Sequence, residues 1–142
     1  MSEIDGASGF LNRLERACEA WGEVNPQELA QLVRDIQRVS PERQFDVLAQ
    51  AFFSDHYLKQ EYVGTILLQV NPPCFQSLNE LLPRLLPGWN LSIEQLPRYL
   101  TGVFGLAAVS DAIDEVDANG ASDHTKTKTV RYWLRIFGSS PS

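Results

Sequence analysis

Oxygen-bearing side chains alternate along one stretch near the carboxyl end of the sequence, as they do in an EF-hand calcium loop. The candidate ligands are Glu115, Asp117, Asn119 and Asp123. Gly120 stands where such a loop turns sharply, but Lys126 occupies the twelfth position, which needs a bidentate glutamate. Because a lysine there removes a ligand and repels the metal, the sequence predicts an acidic helix end and a turn, with no bound calcium or zinc.

Histidine and cysteine are too sparse in this sequence for other metal or nucleophilic chemistry. Neither His56 nor His124 has a second histidine or a carboxylate at the spacing of a zinc site. Cys18 has the spacing of a core residue, whereas Cys74 follows two prolines at an expected helix start, where a helix N-terminus would lower its thiol pKa. No nucleophile elbow, phosphate loop or dinucleotide fingerprint is present. We therefore expect no catalytic residue, no cofactor and two reduced, structural thiols.

A second group of residues has the types that dominate protein interfaces rather than active sites. It comprises Leu86, Trp89, Arg98 and Tyr99. Two prolines and a glycine interrupt the helical path around Leu86 and Trp89, so we expect both side chains to lie on a surface connection. Arg98 and Tyr99 would supply a polar rim and an anchor for a partner. The alternative is that the chain itself covers Trp89, which would make this segment part of the core.

The charge of the chain changes sign near its carboxyl end. Residues 105–123 contain five acids and no lysine or arginine, whereas the residues from Lys126 onward contain four bases and no acid. One interpretation is that the basic segment packs back against the acidic helix. The other is that Arg131, Tyr132 and Arg135 form a basic, aromatic patch for a charged partner. Four bases are few for nucleic acid, which normally takes more phosphate contacts.

The composition excludes several classes of protein. The chain has 142 residues, 44% of them hydrophobic and 21% charged, which is typical of one globular domain with its own core. Its net charge of −6 repels phosphate backbones, so nucleic acid is a disfavoured partner. No apolar run approaches the length of a membrane span, and residues 1–6 lack the features of a signal peptide. We expect a cytoplasmic domain over residues 10–137, between flexible ends at 1–9 and 138–142.

Proline placement predicts where several helices begin, because an N-cap side chain followed by proline suits a first helical turn. The pairs are Asn25-Pro26, Ser40-Pro41 and Asn71-Pro72. A further start is expected near His56, with Asp55 as its cap. Another is expected after Ser92, which has Gln95 at the spacing of a capping box.

Apolar residues recur at helical spacing between residues 10 and 116, and they define seven stripes. The positions expected in the core are Trp21, Leu32, Ile36, Leu48, Phe52, Ile66, Leu78, Leu100, Val103 and Ile113. Gly105 is expected to end the sixth helix. The alternating threonines after His124 are typical of a strand, but Val130 and Leu134 share a helical face. Because an isolated strand would have no partner, we favour an eighth helix from about Thr129.

The expected helix starts are evenly spaced along the chain, at Pro26, Pro41, His56 and Pro72. They are separated by 15, 15 and 16 residues, so helix pairs recur about every 30 residues. This rhythm resembles the short helical arrays of the HEAT and armadillo families, over Asn25 to Val116. The resemblance rests on cap positions and hydrophobic spacing and implies a binding surface. The predicted fold is all-α, with seven to eight helices in a short helical-repeat array or an orthogonal bundle.

These features favour a non-enzymatic domain that binds another protein, as an adaptor, an assembly factor or an inhibitor of the immunity-protein kind. A small helical enzyme or ligand-binding protein is the alternative, with a pocket built from Trp89, Glu94, Arg98 and Tyr99. A third interpretation is nucleic-acid binding through the basic C-terminal segment, which salt-dependent retention on a polyanion would reveal.

Overall fold

The computed structural model describes residues 6–120 and 123–139, and within these ranges it contains eight α-helices and no strand. The helices are α1 (Ala7–Ala20), α2 (Pro26–Gln37), α3 (Pro41–Ala49), α4 (Tyr57–Val70), α5 (Leu78–Leu85), α6 (Gln95–Phe104), α7 (Leu106–Ala118) and α8 (His124–Ser139). Short 3₁₀ helices follow α3 and α5, at Gln50–Phe52 and Leu86–Gly88. The all-α prediction with seven to eight helices is confirmed.

Two of the three proline-based helix starts are confirmed. Helix α2 begins at Pro26, and the Asn25 side chain accepts hydrogen bonds from the backbone N–H groups of Gln27 and Glu28, at 3.0 and 3.1 Å. Helix α3 begins at Pro41. Both starts depend on local chemistry, because proline at this position removes an N–H that the helix leaves unpaired in any case.

The expected start at Pro72 is wrong. Asn71 has a positive φ of 50° and ends α4, and the chain then stays non-helical until Ser77 caps α5. A proline disfavours helical backbone in the residue before it, so Pro73 keeps Pro72 out of a helix. The cap at Ser77 is a hydrogen bond of 3.3 Å from the backbone N–H of Glu80 to the serine hydroxyl.

Two further caps differ from the prediction. His56 is itself the cap of α4, since its Nδ1 accepts the backbone N–H of Lys59 at 3.2 Å. Helix α6 begins at Gln95 without a side-chain cap, and Ser92 instead donates its backbone N–H to the side chain of Asn90 at 2.9 Å. Gly105, with a φ of 96°, ends α6 as expected.

Helix α8 begins at His124, five residues earlier than expected, and the strand alternative is wrong. Threonine fits a helix when its hydroxyl bonds to the preceding turn. Thr129 donates its hydroxyl to the carbonyl of Thr125 at 2.9 Å. The fully buried Thr127 bonds to the carboxylate of Asp117 at 2.7 Å. The helix also includes Gly138, and α1 includes residues 7–9, so both reach into ends expected to be flexible.

The helices pack so that α2, α4, α6 and α8 form one row, each in contact with the next. Helix α1 contacts α2 and α4, and α3 also contacts α2 and α4. Helix α7 contacts α5, α6 and α8. This arrangement places the C-terminal helix at one edge of the bundle, where α7 is its main neighbour.

The predicted core is largely confirmed. Eight of its members are buried, namely Leu32, Ile36, Leu48, Phe52, Ile66, Leu78, Leu100 and Ile113. Val103 is half-buried, and Trp21 is 46% exposed, so its assignment to the core is wrong. Trp21 follows the last residue of α1 and has extended backbone, so the helical spacing that aligned it with Phe10 and Leu14 no longer applies.

A buried glutamine on α4 forms hydrogen bonds with two segments that connect α-helices. Gln60 is fully buried, and its amide nitrogen donates to the carbonyls of Ser54 and Gly88 at 3.0 and 2.7 Å. Its amide oxygen accepts the backbone N–H of Asn90 at 2.8 Å. Because buried backbone groups need partners, this one side chain allows the segment after α5 to lie inside the molecule.

Replacement of Gln60 should therefore destabilise the fold far more than replacement of a surface glutamine. Gln60→Leu leaves the Gly88 carbonyl and the Asn90 N–H without their partner, while Ser54 keeps its bond from His56, and we expect a loss of about 2–4 kcal/mol in the free energy of unfolding. Gln69→Leu, on the exposed side of the same helix, should change it by no more than about 0.5 kcal/mol. Urea titration of both variants measures the difference, and equal losses would contradict the role of Gln60.

The same connection requires a glycine at position 88. A Cβ atom at Gly88 would lie 2.2 Å from the carbonyl oxygen of Phe52, whereas one at Gly102 in α6 would meet nothing within 4 Å. We expect Gly88→Ala to cost about 2 kcal/mol or more. Gly102→Ala should gain about 0.5–1 kcal/mol because alanine favours a helix. Thermal or urea unfolding measures the sign of each change in stability. A Gly88→Ala variant more stable than the unmodified protein would contradict the close contact between position 88 and the carbonyl of Phe52.

Candidate functional site

Three of the predicted interface residues lie in the core. Leu86, Trp89 and Tyr99 are 1%, 0% and 2% exposed, so the expectation that Leu86 and Trp89 lie at the surface is wrong. The indole N–H of Trp89 donates to the carbonyl of Ile93 at 2.9 Å. The hydroxyl of Tyr99 donates to the carbonyl of Pro72 at 2.6 Å, and burial raises its pKa well above the usual range.

Arg98 is exposed but committed to neighbours within the chain. Its guanidinium donates to the carboxylate of Glu94 at 2.8 Å and lies 4.4 Å from the centre of the Phe137 ring. Phe137 in turn stacks on Trp133 of α8, with ring centres 6.4 Å apart. Arg98 thus joins α6 to α8 through a cation–π contact. The indole N–H of Trp133 is buried and has no partner among the residues that the structure describes.

The pocket expected for an enzyme or ligand-binding protein is not assembled. A cleft of about 270 Å³ between α4 and α6 is lined by Glu94 and Arg98, but neither Trp89 nor Tyr99 lines it. Cys74 is half-buried and does not begin a helix, and burial raises its thiol pKa. The sequence pattern placed these residues near one another along the chain, but their side chains face different parts of the fold.

Two acids near the end of α7 form ion pairs with one arginine of α8. Arg131 of α8 bonds to Asp114 at 2.9 Å and to Asp117 at 2.6 Å, so the interpretation that the basic segment packs against the acidic helix holds for Arg131. The hydrogen bond from Thr127 and the bond from Arg131 together lower the pKa of Asp117. Within the described ranges no three metal-binding side chains form a group.

The solvent-facing side of α8 carries a basic and apolar stripe, here called the α8 outer face. Its members follow the helical repeat and are Lys128, Tyr132, Arg135 and Ile136. Tyr132 is 47% exposed and Ile136 36% exposed. Lys128 and Arg135 form no ion pair with any residue that the structure describes. Two of the four bases of the C-terminal segment are therefore available to a partner.

An apolar groove runs beside this stripe, between the first two turns of α7 and the middle of α8. This α7–α8 groove has a volume of about 440 Å³ and is lined by Leu106, Ala107, Ser110, Arg131, Leu134 and Arg135. Leu106 is 40% exposed at its edge, and Leu134 is nearly buried. The Leu106 side chain lies against Gly138 of α8, because a Cβ atom there would lie 3.2 Å from its Cδ2 methyl group.

The sequence identified the α8 half of this site but missed the α7 half. Arg131, Tyr132 and Arg135 were recognised by residue type, and the structure brings them to one edge of the bundle. Leu106 has the helical spacing of the buried residues of α7, yet it lies in the first turn and is 40% exposed. The sequence signal for the groove is the small side chain of Ala107, which lines it.

The other exposed aromatic residues lie apart from these features. Phe75 is 72% exposed, and Phe53 lies under the guanidinium of Arg84, 5.5 Å from its ring centre. The nearby cleft of about 360 Å³ is crossed by hydrogen bonds from Arg84 to Gln76 and from Gln76 to Asp46. Its charged groups are thus already paired or shielded, in contrast to Lys128 and Arg135.

No family model, no curated protein and no solved structure matches this chain. Among the described helices, none combines the length and the apolar character that crossing a bilayer requires.

The hydrogen bonds of Asp117 should make stability depend on pH. Because its pKa is lower in the folded chain than in the unfolded chain, Asp117 stabilises the fold at neutral pH. This contribution is lost as the pH falls through the lowered pKa. We expect Asp117→Asn to be less stable at neutral pH and to lose stability less steeply on acidification.

Denaturant titrations at several pH values measure this effect. Asp111→Asn is a matched control, since Asp111 lies exposed on the same helix without a partner in the described part of the chain. The control should follow the pH profile of the unmodified protein. Identical profiles for Asp117→Asn and the unmodified protein would contradict the role of Asp117.

Proposed function

We propose that this protein is a non-enzymatic binding domain that recognises another protein through the α8 outer face and the α7–α8 groove. The observation that carries the proposal is the division of bases on α8. Arg131 is paired with Asp114 and Asp117 of α7, whereas Lys128 and Arg135 have no ion pair in the described residues. Exposed Tyr132 and Ile136 stand beside these two bases, and tyrosine and arginine are enriched at interface hot spots.

The groups with shifted pKa values support binding rather than catalysis. The pKa of Glu15 is lowered by Lys59, and that of Asp117 is lowered by Thr127 and Arg131, so both shifts arise from contacts that hold helices together. Burial raises the pKa of the thiols of Cys18 and Cys74 and of the phenol of Tyr99. These shifts work against nucleophilic use of the three groups at neutral pH.

The helix arrangement also supports a binding role. The row of α2, α4, α6 and α8 is compatible with the helical-array interpretation, in which stacked helices present an extended surface to a partner. An adaptor, an assembly factor or an inhibitor would each use such a surface. Two free thiols and the acidic composition agree with a cytoplasmic setting, which we include in the proposal.

Loss of one tyrosine on α8 should abolish partner retention without unfolding the protein. Immobilised protein would be exposed to an extract of the cells that produce it. We expect Tyr132→Ala to weaken retention of the bound protein roughly 30-fold or more, the effect of an interface hot spot. Tyr132 is 47% exposed and packs edge-on against Trp133, with ring centres 5.1 Å apart, so its removal should lower the melting temperature by only about 2–5 °C.

Tyr57→Ala is the matched control, since Tyr57 is 48% exposed on α4. It should retain the same protein as the unmodified chain. A Tyr132→Ala variant that retains every protein captured by the unmodified chain would place the binding surface elsewhere. So would a loss confined to Tyr57→Ala.

A further inference from the structure

The partner of the α7–α8 groove can be specified by its chemistry. We propose that the groove binds an acidic amphipathic helix of another protein, with its apolar side chains in the groove and its carboxylates on Lys128 and Arg135. This inference rests on the proposed function and adds the kind of segment that is recognised. Helix-in-groove binding of this type uses apolar anchors on one face of the incoming helix.

The charges set the position of the carboxylates. Lys126 donates to the carbonyl of Trp89, and Arg131 bonds to two aspartates of α7, so neither is free for a partner. Lys128 and Arg135 are exposed and seven residues apart, which is two helical turns or about 10 Å along α8. A helix lying alongside α8 would meet both bases with two acidic residues at the same spacing.

The groove sets the position of the apolar side chains. Leu106 and Leu134 give it an apolar floor, and Ile136 extends that surface onto the α8 outer face. A cavity of about 150 Å³ is sufficient for a benzene molecule. The groove volume of about 440 Å³ therefore accommodates one aromatic or two aliphatic side chains. These anchors would lie between the two carboxylates, because the α8 residues that line the groove, Arg131 to Arg135, lie within the span from Lys128 to Arg135.

The acids of α7 are engaged within the fold or face a different cleft. Asp114 and Asp117 both bond to Arg131, which offsets one of their two negative charges. Asp111 and Glu115 line a different cleft, which lies between α5 and α7. Because the whole chain has a net charge of −6, most of its surface repels an acidic helix. Charge complementarity then favours the α8 edge, where Lys128 and Arg135 lie on or beside an apolar groove.

Defined peptides test this inference. The probe is a fluorescein-labelled, alanine-based helical peptide with two glutamates at the spacing of Lys128 and Arg135 and two leucines between them. Its twin carries lysines in place of the glutamates, and a single-stranded oligonucleotide represents nucleic acid. We expect fluorescence anisotropy to show binding of the glutamate peptide, weakening with added salt, and little binding of the other two probes.

Charge reversal on the protein gives the sharper result. Arg135→Glu should weaken the binding of the glutamate peptide about tenfold or more and should strengthen the binding of the lysine peptide. Arg16→Glu, an exposed change on α1 far from α8, should leave both affinities unchanged. Unaltered affinity in Arg135→Glu would overturn the inference. Equal binding of the lysine peptide, or preferred binding of the oligonucleotide, would overturn it as well.

Failure of this inference and failure of the proposed function have different signatures. If the glutamate peptide does not bind while Tyr132→Ala still loses its captured protein, the acidic-helix partner is wrong and the binding surface stands. If Tyr132→Ala retains all captured protein, the proposed function fails. Circular dichroism of each variant confirms that the helices remain intact, so loss of binding is not loss of fold.

Discussion

The structure depends on the hydrogen bonds that allow the connection between α5 and α6 to be buried. Gln60 reaches across from α4 and pairs with backbone groups on both sides of Trp89, at Gly88 and Asn90. Trp89 bonds to the carbonyl of Ile93, which closes the segment on itself. With these groups satisfied, the largest aromatic side chain of the segment becomes core instead of surface. The position of α6, which follows directly, is therefore set by one amide side chain that lies about 30 residues earlier.

Contacts with this buried connection help to position the candidate binding surface on α8. Lys126, in the first turn of α8, donates to the carbonyl of Trp89. Thr127 bonds to Asp117 of α7, so the start of α8 is held by both the connection and its neighbouring helix. Farther along, the Arg98–Phe137 contact joins α8 to α6. The helix is thus fixed along its inner side while its outer face remains available, and rigid support of this kind lowers the entropic cost of binding.

The parts of the fold that could be predicted from the sequence are those decided by neighbouring residues. The starts at Pro26 and Pro41, the end at Gly105 and most core positions follow from caps, proline geometry and helical spacing. Trp89 could not be placed correctly from the sequence. Connections usually lie at the surface because their backbone groups need hydrogen-bond partners, but here the Gln60 side chain supplies those partners inside the fold. In the site, residue type identified Arg135 as a candidate. Its availability could not be predicted, because that depends on which bases the aspartates of α7 bind in the folded chain.

The four bases of the C-terminal segment therefore divide by the direction they face rather than by their type. Lys126 and Arg131 pair with groups of neighbouring segments, so their removal would take a partner from those acceptors and act on folding. Lys128 and Arg135 point outward, where a charge contributes little to stability on its own. Positive charge kept at the surface of an acidic domain strengthens attraction to acidic molecules over a range of about 8 Å at physiological salt. Substitution of Lys128 or Arg135 should therefore change the charge of the α8 outer face at little cost to the fold, because the contacts that support α8 involve other residues.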